Sequence, residues 1–218
     1  MSPTHHPTEE LLRAYALGSG EQALDLAVAA HGARCPVCQV QVQELEAIGG
    51  ALLSRLPSGG LPAWALEAAL ARLDEAPPAE RARPEAPSWL RHLDLPGPLL
   101  DLCDQLAPWS TIWPGIRRIE LPLSLDGERL ALVGMDAGTE IPEHDHGGLE
   151  LNLVLAGGFD DVQERAAYLP GDVSCKEPGQ VHTVQVHGDG ECVVLVVRSG
   201  RLVPRNLKGR LGAWITGM

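Results

Sequence analysis

The sequence predicts two folded parts of different class, a small all-α bundle followed by an all-β barrel, and three observations carry that reading. Between residues 8 and 76 the apolar side chains recur at helical spacing. Beyond residue 88 they fall instead into short alternating runs bounded by Gly, Pro and Asp. Residues 76–88, APPAERARPEAPS, hold four prolines and no large apolar side chain, which reads as an extended, partly stiff linker. A chain of 218 residues has room for two such parts, and its 24 glycines and 18 prolines are too many for an all-helical protein. With aromatics at 4%, the core is built from Leu, Val and Ala.

The helical half parses as follows. Thr8 is placed to cap a first helix, with Glu9 and Glu10 in the turn where a carboxylate favours the helix dipole. Leu11, Leu12, Tyr15 and Ala16 follow at helical spacing, and Gly18-Ser19-Gly20 ends the run. Ser19 with Gln22 resembles a capping box for a second helix reaching about His31. A third helix begins near Pro36 and runs through Val37, Val40, Leu45 and Ile48 to about Leu56. Pro62 suits the first turn of a fourth, which carries Trp64, Leu66, Leu70 and Leu73. In the second half, Ile116–Leu123, Arg129–Met135, Leu149–Leu155 and Cys192–Val197 read as strands of a sandwich or barrel.

A net charge of −12 argues against direct nucleic-acid binding, which draws on clustered Lys and Arg. It suits a basic partner surface, or serves solubility alone. The opening MSPTHHPTEELLRAY lacks a basic stretch followed by an apolar one, so no signal peptide is expected. The longest apolar runs are too short to cross a bilayer, and a soluble, cytoplasmic protein with reduced thiols is expected.

The segment His31-Gly-Ala-Arg-Cys35-Pro-Val-Cys38 is the first cluster with metal-ligand spacing. Two thiolates at a helix start converge on one ion, and His31 is near enough to supply a third ligand from the preceding helix. A redox pair at this spacing accompanies a βαβ context, which is absent. A fourth ligand must come from elsewhere, and His5 and His6 are the candidates. Helices this short bury little surface and call for a metal to hold them together.

This pattern, with a His ahead of the first helix, resembles the zinc-binding anti-sigma domain over residues 1 to about 76. The opening HH…LLRAYALG is similar to the ChrR subgroup, and that likeness makes His6 the ligand of the pair. It implies a structural zinc on His6, His31, Cys35 and Cys38, and a helical bundle that holds a sigma factor. Trp64, Leu66 and Leu70, with Val42 and Leu45, are candidates for the partner-facing surface, each of them otherwise an ordinary core residue.

A second cluster lies in the strand-rich half. Gly138, His144, His146, Glu150 and Gly157 occupy every fixed position of the first cupin motif. Residues two apart on a strand share a face, so His144 and His146 point together into a barrel, and Glu150 returns from the next strand. The second motif keeps Gly171, Gly179 and His182 but has Glu177 where the family has Pro and Val186 where it has Asn. Three His and one Glu suit zinc or another divalent transition metal. His92 and His187 fit no motif, Cys103, Cys175 and Cys192 read as apolar fillers, and Cys175 is a candidate redox-responsive neighbour of His182.

The resemblance therefore extends over nearly the whole chain: an anti-sigma domain at 1–76, a linker at 77–88 and a cupin domain, a double-stranded β-helix barrel, at 89–218. It implies a regulator that sequesters a group IV sigma factor in a one-to-one complex and releases it on singlet-oxygen-type oxidative stress sensed through the cupin metal. Two other readings stay open at this point. One is a dioxygenase-like metalloenzyme with an accessory zinc module. The other is a small-ligand sensor whose helical module still acts on sigma.

Overall fold

The computed structural model describes residues 2–74, 87–88, 90–91, 93, 95–102, 106–122, 128–200 and 202–204. The linker expected at 77–88, apart from its last two residues, lies outside the described residues, as do His92 and Cys103. The helices are α1 (Glu9–Ala16), α2 (Gln22–Gly32), α3 (Pro36–Leu53), α4 (Ala65–Ala71), a 3₁₀ turn at Arg72–Asp74, and a short α5 (Gly97–Leu100). The Thr8 hydroxyl accepts the N–H of Leu11 at 3.3 Å, the cap read from the sequence. The expected Ser19–Gln22 capping box does not form. Glu21 is the N-cap of α2 and makes no side-chain cap bond. Ser19 belongs to the end of α1: Gly18 turns left-handed at φ +63°, and the Ser19 N–H reaches back to the Ala14 carbonyl.

The strands are β1 (Ser110–Trp113), β2 (Ile116–Glu120), β3 (Glu128–Met135), β4 (Glu140–His146), β5 (Glu150–Ala156), β6 (Phe159–Asp161), β7 (Ala166–Tyr168), β8 (Val173–Lys176), β9 (His182–Val186), β10 (Cys192–Ser199) and β11 (Leu202–Pro204). They form two antiparallel sheets, ordered β1-β2-β3-β10-β5-β8 and β11-β4-β9-β6-β7. The long strands of the larger sheet are buried on both faces, which explains why β5 and β10 read as almost continuous apolar runs.

Register fixes what each face of the larger sheet carries. Leu130, Leu132, Leu151, Leu153, Val193 and Leu195 point outward into a cluster that also contains Ala23, Leu24, Ala27 and Ala30 of α2. The alanine stripe lets α2 lie close against the sheet. Val154, Val194 and Met135 point inward and meet Phe159, Val184 and Val186 of the smaller sheet. Val186, at the altered motif position, is thus a buried core residue. A smaller cluster of Leu12, Val28, Cys35 and Cys38 joins α1, α2 and α3.

Because Ala27 is fully buried between α2 and the sheet, Ala27→Leu should lower unfolding stability by about 1–3 kcal/mol through overpacking. Denaturant unfolding of the full chain checks this, and an unchanged midpoint would mean that α2 does not pack on the barrel.

Candidate metal centres

The first centre is assembled from three separate pieces of chain. His31 comes from the last turn of α2, Cys35 is the N-cap of α3, Cys38 lies in its first turn, and His6 comes from the extended segment before α1. Their ligand atoms all lie within 4.8 Å of one another. His6 Nδ1 is 3.4 Å from Cys35 Sγ and 3.5 Å from Cys38 Sγ, and His31 Nε2 is 3.3 Å from Cys38 Sγ. Burial, then the neighbouring Cys35 thiol, pushes the Cys38 thiol up to about 12. Two buried thiols and two imidazoles with converging lone pairs leave a site that a soft dication suits and that water would fill poorly.

The structure separates the two candidate histidines. His5 turns away from this group toward the barrel, where its backbone N–H donates to Asp172 Oδ1 at 2.9 Å and its ring packs on Tyr168. His31 is oriented from the barrel as well: its Nδ1 lies 2.8 Å from the carbonyl oxygen of Gly171, which leaves Nε2 for the cluster. Burial lowers the proton affinity of His31, against a smaller opposing effect of that carbonyl, which favours the neutral ring that could serve as a ligand.

The second centre lies inside the barrel. His144 and His146 come from β4, and His182, at the start of β9, is the cross-strand partner of His144. The ligand nitrogens of the three histidines lie within 4.8 Å of one another. His146 Nε2 is 3.0 Å from His182 Nε2. Glu150, the first residue of β5, places its carboxylate 3.2 Å from His146 Nδ1 and 3.9 Å from His182 Nε2. Burial lowers all three imidazoles, and the neighbouring imidazoles add to it at His144 and His146, the latter reaching about 3. Neutral rings turned toward one another beside a carboxylate form a donor set that fits a divalent transition metal.

Sequence reasoning missed the residues that steady this centre. His144 Nδ1 donates to the Pro142 carbonyl at 2.8 Å, which leaves Nε2 for the cavity. Asp161, fully buried, sits 3.4 Å from His182 Nδ1 and 2.8 Å from the Nζ of Lys176, itself buried. Burial would raise the Asp161 carboxyl, but hydrogen bonds from Lys176 and the Glu164 N–H outweigh it and hold the group below its ordinary value. Asn152 donates to Glu150 Oε1 at 2.8 Å. The available signal was the inward alternation of Phe159 and Asp161 and of Ser174 and Lys176, which places charges where a barrel interior is otherwise apolar.

The altered second cupin motif keeps its turn. Glu177 and Gln180 bond each other, Gly179 takes φ +82°, and its N–H donates to the His146 carbonyl. Cys175 is not a neighbour of His182. It lies on the outward face of β8, packed against the helix-side cluster, and burial pushes its thiol up to about 11. His187 pairs with Asp160 at the surface.

Residues 103–202 match the family described as the ChrR cupin-like domain. The chain is 32% identical over 210 residues to the anti-sigma-E factor ChrR of Cereibacter sphaeroides, covering 93% of this chain and 92% of that protein. The chain belongs to the ChrR family of anti-sigma factors. The crystal structure of Rhodobacter sphaeroides SigE in complex with the anti-sigma ChrR superposes with a TM-score of 0.76 at 29% identity, over 91% of this chain and 100% of that one. Membership makes this protein a regulator rather than an enzyme, so the dioxygenase reading is set aside. The two-part fold, an α bundle ahead of a cupin barrel, is the ChrR fold. Among the described residues no helix is long and apolar enough to cross a membrane.

Cys38→Ser should cost the full chain one metal equivalent while leaving the barrel equivalent bound. His6→Ala should act likewise and His5→Ala should not, as counted by elemental analysis after dialysis. Metal loss in His5→Ala with retention in His6→Ala would reassign the ligand.

Proposed function

We propose that this chain sequesters a group IV sigma factor through its helical module and releases it on singlet-oxygen-type oxidative stress sensed through the barrel. The observation that carries the reading is the surface of α3 and α4. Val37, Val40, Ile48, Leu52 and Leu53 on α3, and Trp64, Leu66 and Leu70 at α4, are all exposed, as are Leu56 and Leu61 between them. Val42 and Leu45 contribute less, being half-buried, with Val42 packed on the small cluster beside the cysteines. An apolar surface of this extent, next to a metal-ligating cluster, marks a protein interface. The SigE–ChrR crystal structure, in which a relative is bound to a sigma factor, supports the same occupant here.

In this reading His6, His31, Cys35 and Cys38 hold a structural zinc that fixes the angle between α2 and α3. His144, His146, Glu150 and His182 hold zinc or another divalent transition metal in the barrel. The division into 1–76, 77–88 and 89–218 follows the same reading, with binding in the first part and sensing in the last. When bound, the zinc would supply a rigid junction between the three pieces of chain that bring these side chains together. The chain's own residues do the rest: Asp161 holds the His182 ring, Lys176 holds Asp161, and Gly171 holds the His31 ring.

The test is co-expression with each group IV sigma factor of the source organism. Wild type should co-purify one-to-one, and Leu66→Asp with Leu70→Asp should abolish the complex without loss of either metal. A His144→Ala, Glu150→Ala variant should still repress sigma-dependent transcription but fail to release it under singlet oxygen. Loss of repression in that variant would place the barrel in the sigma-binding surface, and normal release would move sensing to the thiols of Cys35 and Cys38.

A further inference from the structure

The barrel interior holds a cavity of about 110 Å³ beside the histidines, room for a small organic molecule rather than one water. Its walls divide sharply by chemistry. Ile116, Met135, Phe159, Val184 and Val194 line one end. At the other end the inner face of the larger sheet carries a cross-strand row of charge, with the Arg118–Glu120 ion pair of β2 beside it. Arg129 pairs with Arg198, Arg198 with Glu150, and Glu150 with Lys176. His144 and His182 face the cavity from the opposite sheet.

Three members of this row and its surroundings already have partners. Lys176 is held by Asp161 and Glu164. Glu150 lies against His146 and Asn152. Arg118, also in the cavity wall, pairs with Glu120 at 2.9 Å. Arg198 differs. It is only 9% exposed, it lines the cavity, its Nε has no hydrogen-bond partner, and its guanidinium makes no ion pair among the described residues. A buried guanidinium stays charged and leaves a fork of N–H donors unused, a costly arrangement unless an anion completes it. Arg forks match carboxylates in two parallel hydrogen bonds. Arg129 is exposed to solvent, so one buried unpaired cation remains and calls for one negative charge, and the apolar part of the wall calls for an apolar body.

We infer that the barrel is a receptor for a small apolar monocarboxylate, its head held by Arg198 beside the three histidines and its body lying against Ile116, Met135 and Phe159. Arg129, exposed in the cavity wall and cross-strand from Arg198, adds positive potential there. The site belongs to the sensing half of the proposed function, and occupancy would be the input read there. Binding itself needs no partner protein, so its measurement stands or fails apart from sigma sequestration.

The experiment is titration calorimetry of the full metal-loaded chain with hexanoate, benzoate and hexanol, alongside acetate. Hexanoate and benzoate should bind one-to-one, at least tenfold more tightly than hexanol or acetate. Arg198→Met should weaken hexanoate tenfold or more, leave hexanol unchanged, and retain both metal equivalents with an unchanged or raised melting temperature. Val133→Phe, in the apolar part of the wall, should shift preference toward shorter acids while keeping the dependence on Arg198. Equal affinity for hexanoate and hexanol would overturn the inference, as would unchanged hexanoate affinity in a folded Arg198→Met. If Arg198→Met fails to fold, the inference rests on Val133→Phe, and an unaltered chain-length preference there would overturn it.

Discussion

One carboxylate holds the two halves in register. Asp172, buried at the turn before β8, accepts the backbone N–H groups of Thr4, His5 and Leu169 at 2.6, 2.9 and 2.9 Å. Burial would raise its carboxyl, but these three donors outweigh it and keep the group below its usual range. The neighbouring Gly171 is left-handed at φ +98°, and a Cβ there would meet Pro3 at 2.8 Å, so the turn accepts the N-terminal segment only with glycine. Its carbonyl oxygen faces His31 Nδ1. A turn of the barrel therefore positions two of the four side chains in the helical cluster: His31 directly, and His6 through its neighbour His5.

That turn opens β8, and β8 leads to the other centre. Val173 donates its N–H to the His5 carbonyl, so the N-terminal segment covers an edge of the larger sheet that would otherwise be open. Three residues further on, Lys176 holds Asp161, which holds His182. A single four-residue strand thus has the helical cluster at one end and the barrel histidines at the other. The contacts of His182 thus have a short, packed connection to the turn that steadies His31, the route that coupling between the two halves would take under the proposed function. The shared apolar cluster of α2 and the sheet makes that route stiff.

The fold class was legible, and so were the two candidate groups that the structure brings together, because spacing expresses them. His31, Cys35 and Cys38 are local in sequence, and the period of two on β4 aligns His144 with His146 whatever else the chain does. The choice between His5 and His6 was not legible from spacing, since adjacent residues on an extended segment face opposite ways and only the position of Asp172 decides between them. Asp161 and Lys176 went unread because each is neutralised by a partner distant in sequence, which no local spacing marks. The capping box failed for the opposite reason: Ser19 had a competing bond, to Ala14, that the left-handed Gly18 made available. Helical periodicity marked Val42 and Val40 alike as apolar, but it cannot say which stripe the chain itself covers, and it is the uncovered one that bears on a partner.

The separation between Asp172 and the residues it captures has a kinetic meaning. Thr4 and Asp172 are 168 residues apart. At roughly 5–20 residues per second of synthesis, the helices wait on the order of ten to thirty seconds for the turn that completes their setting. During that interval the alanine face of α2 and the apolar face of α3 are both bare on a nascent chain. A partner already present could occupy α3 before the barrel exists, but the cover of α2, shared among α5, β3, β5 and β10, is complete only once β10 is made. Biogenesis of this protein is therefore most exposed to misassociation before its last long strand is complete.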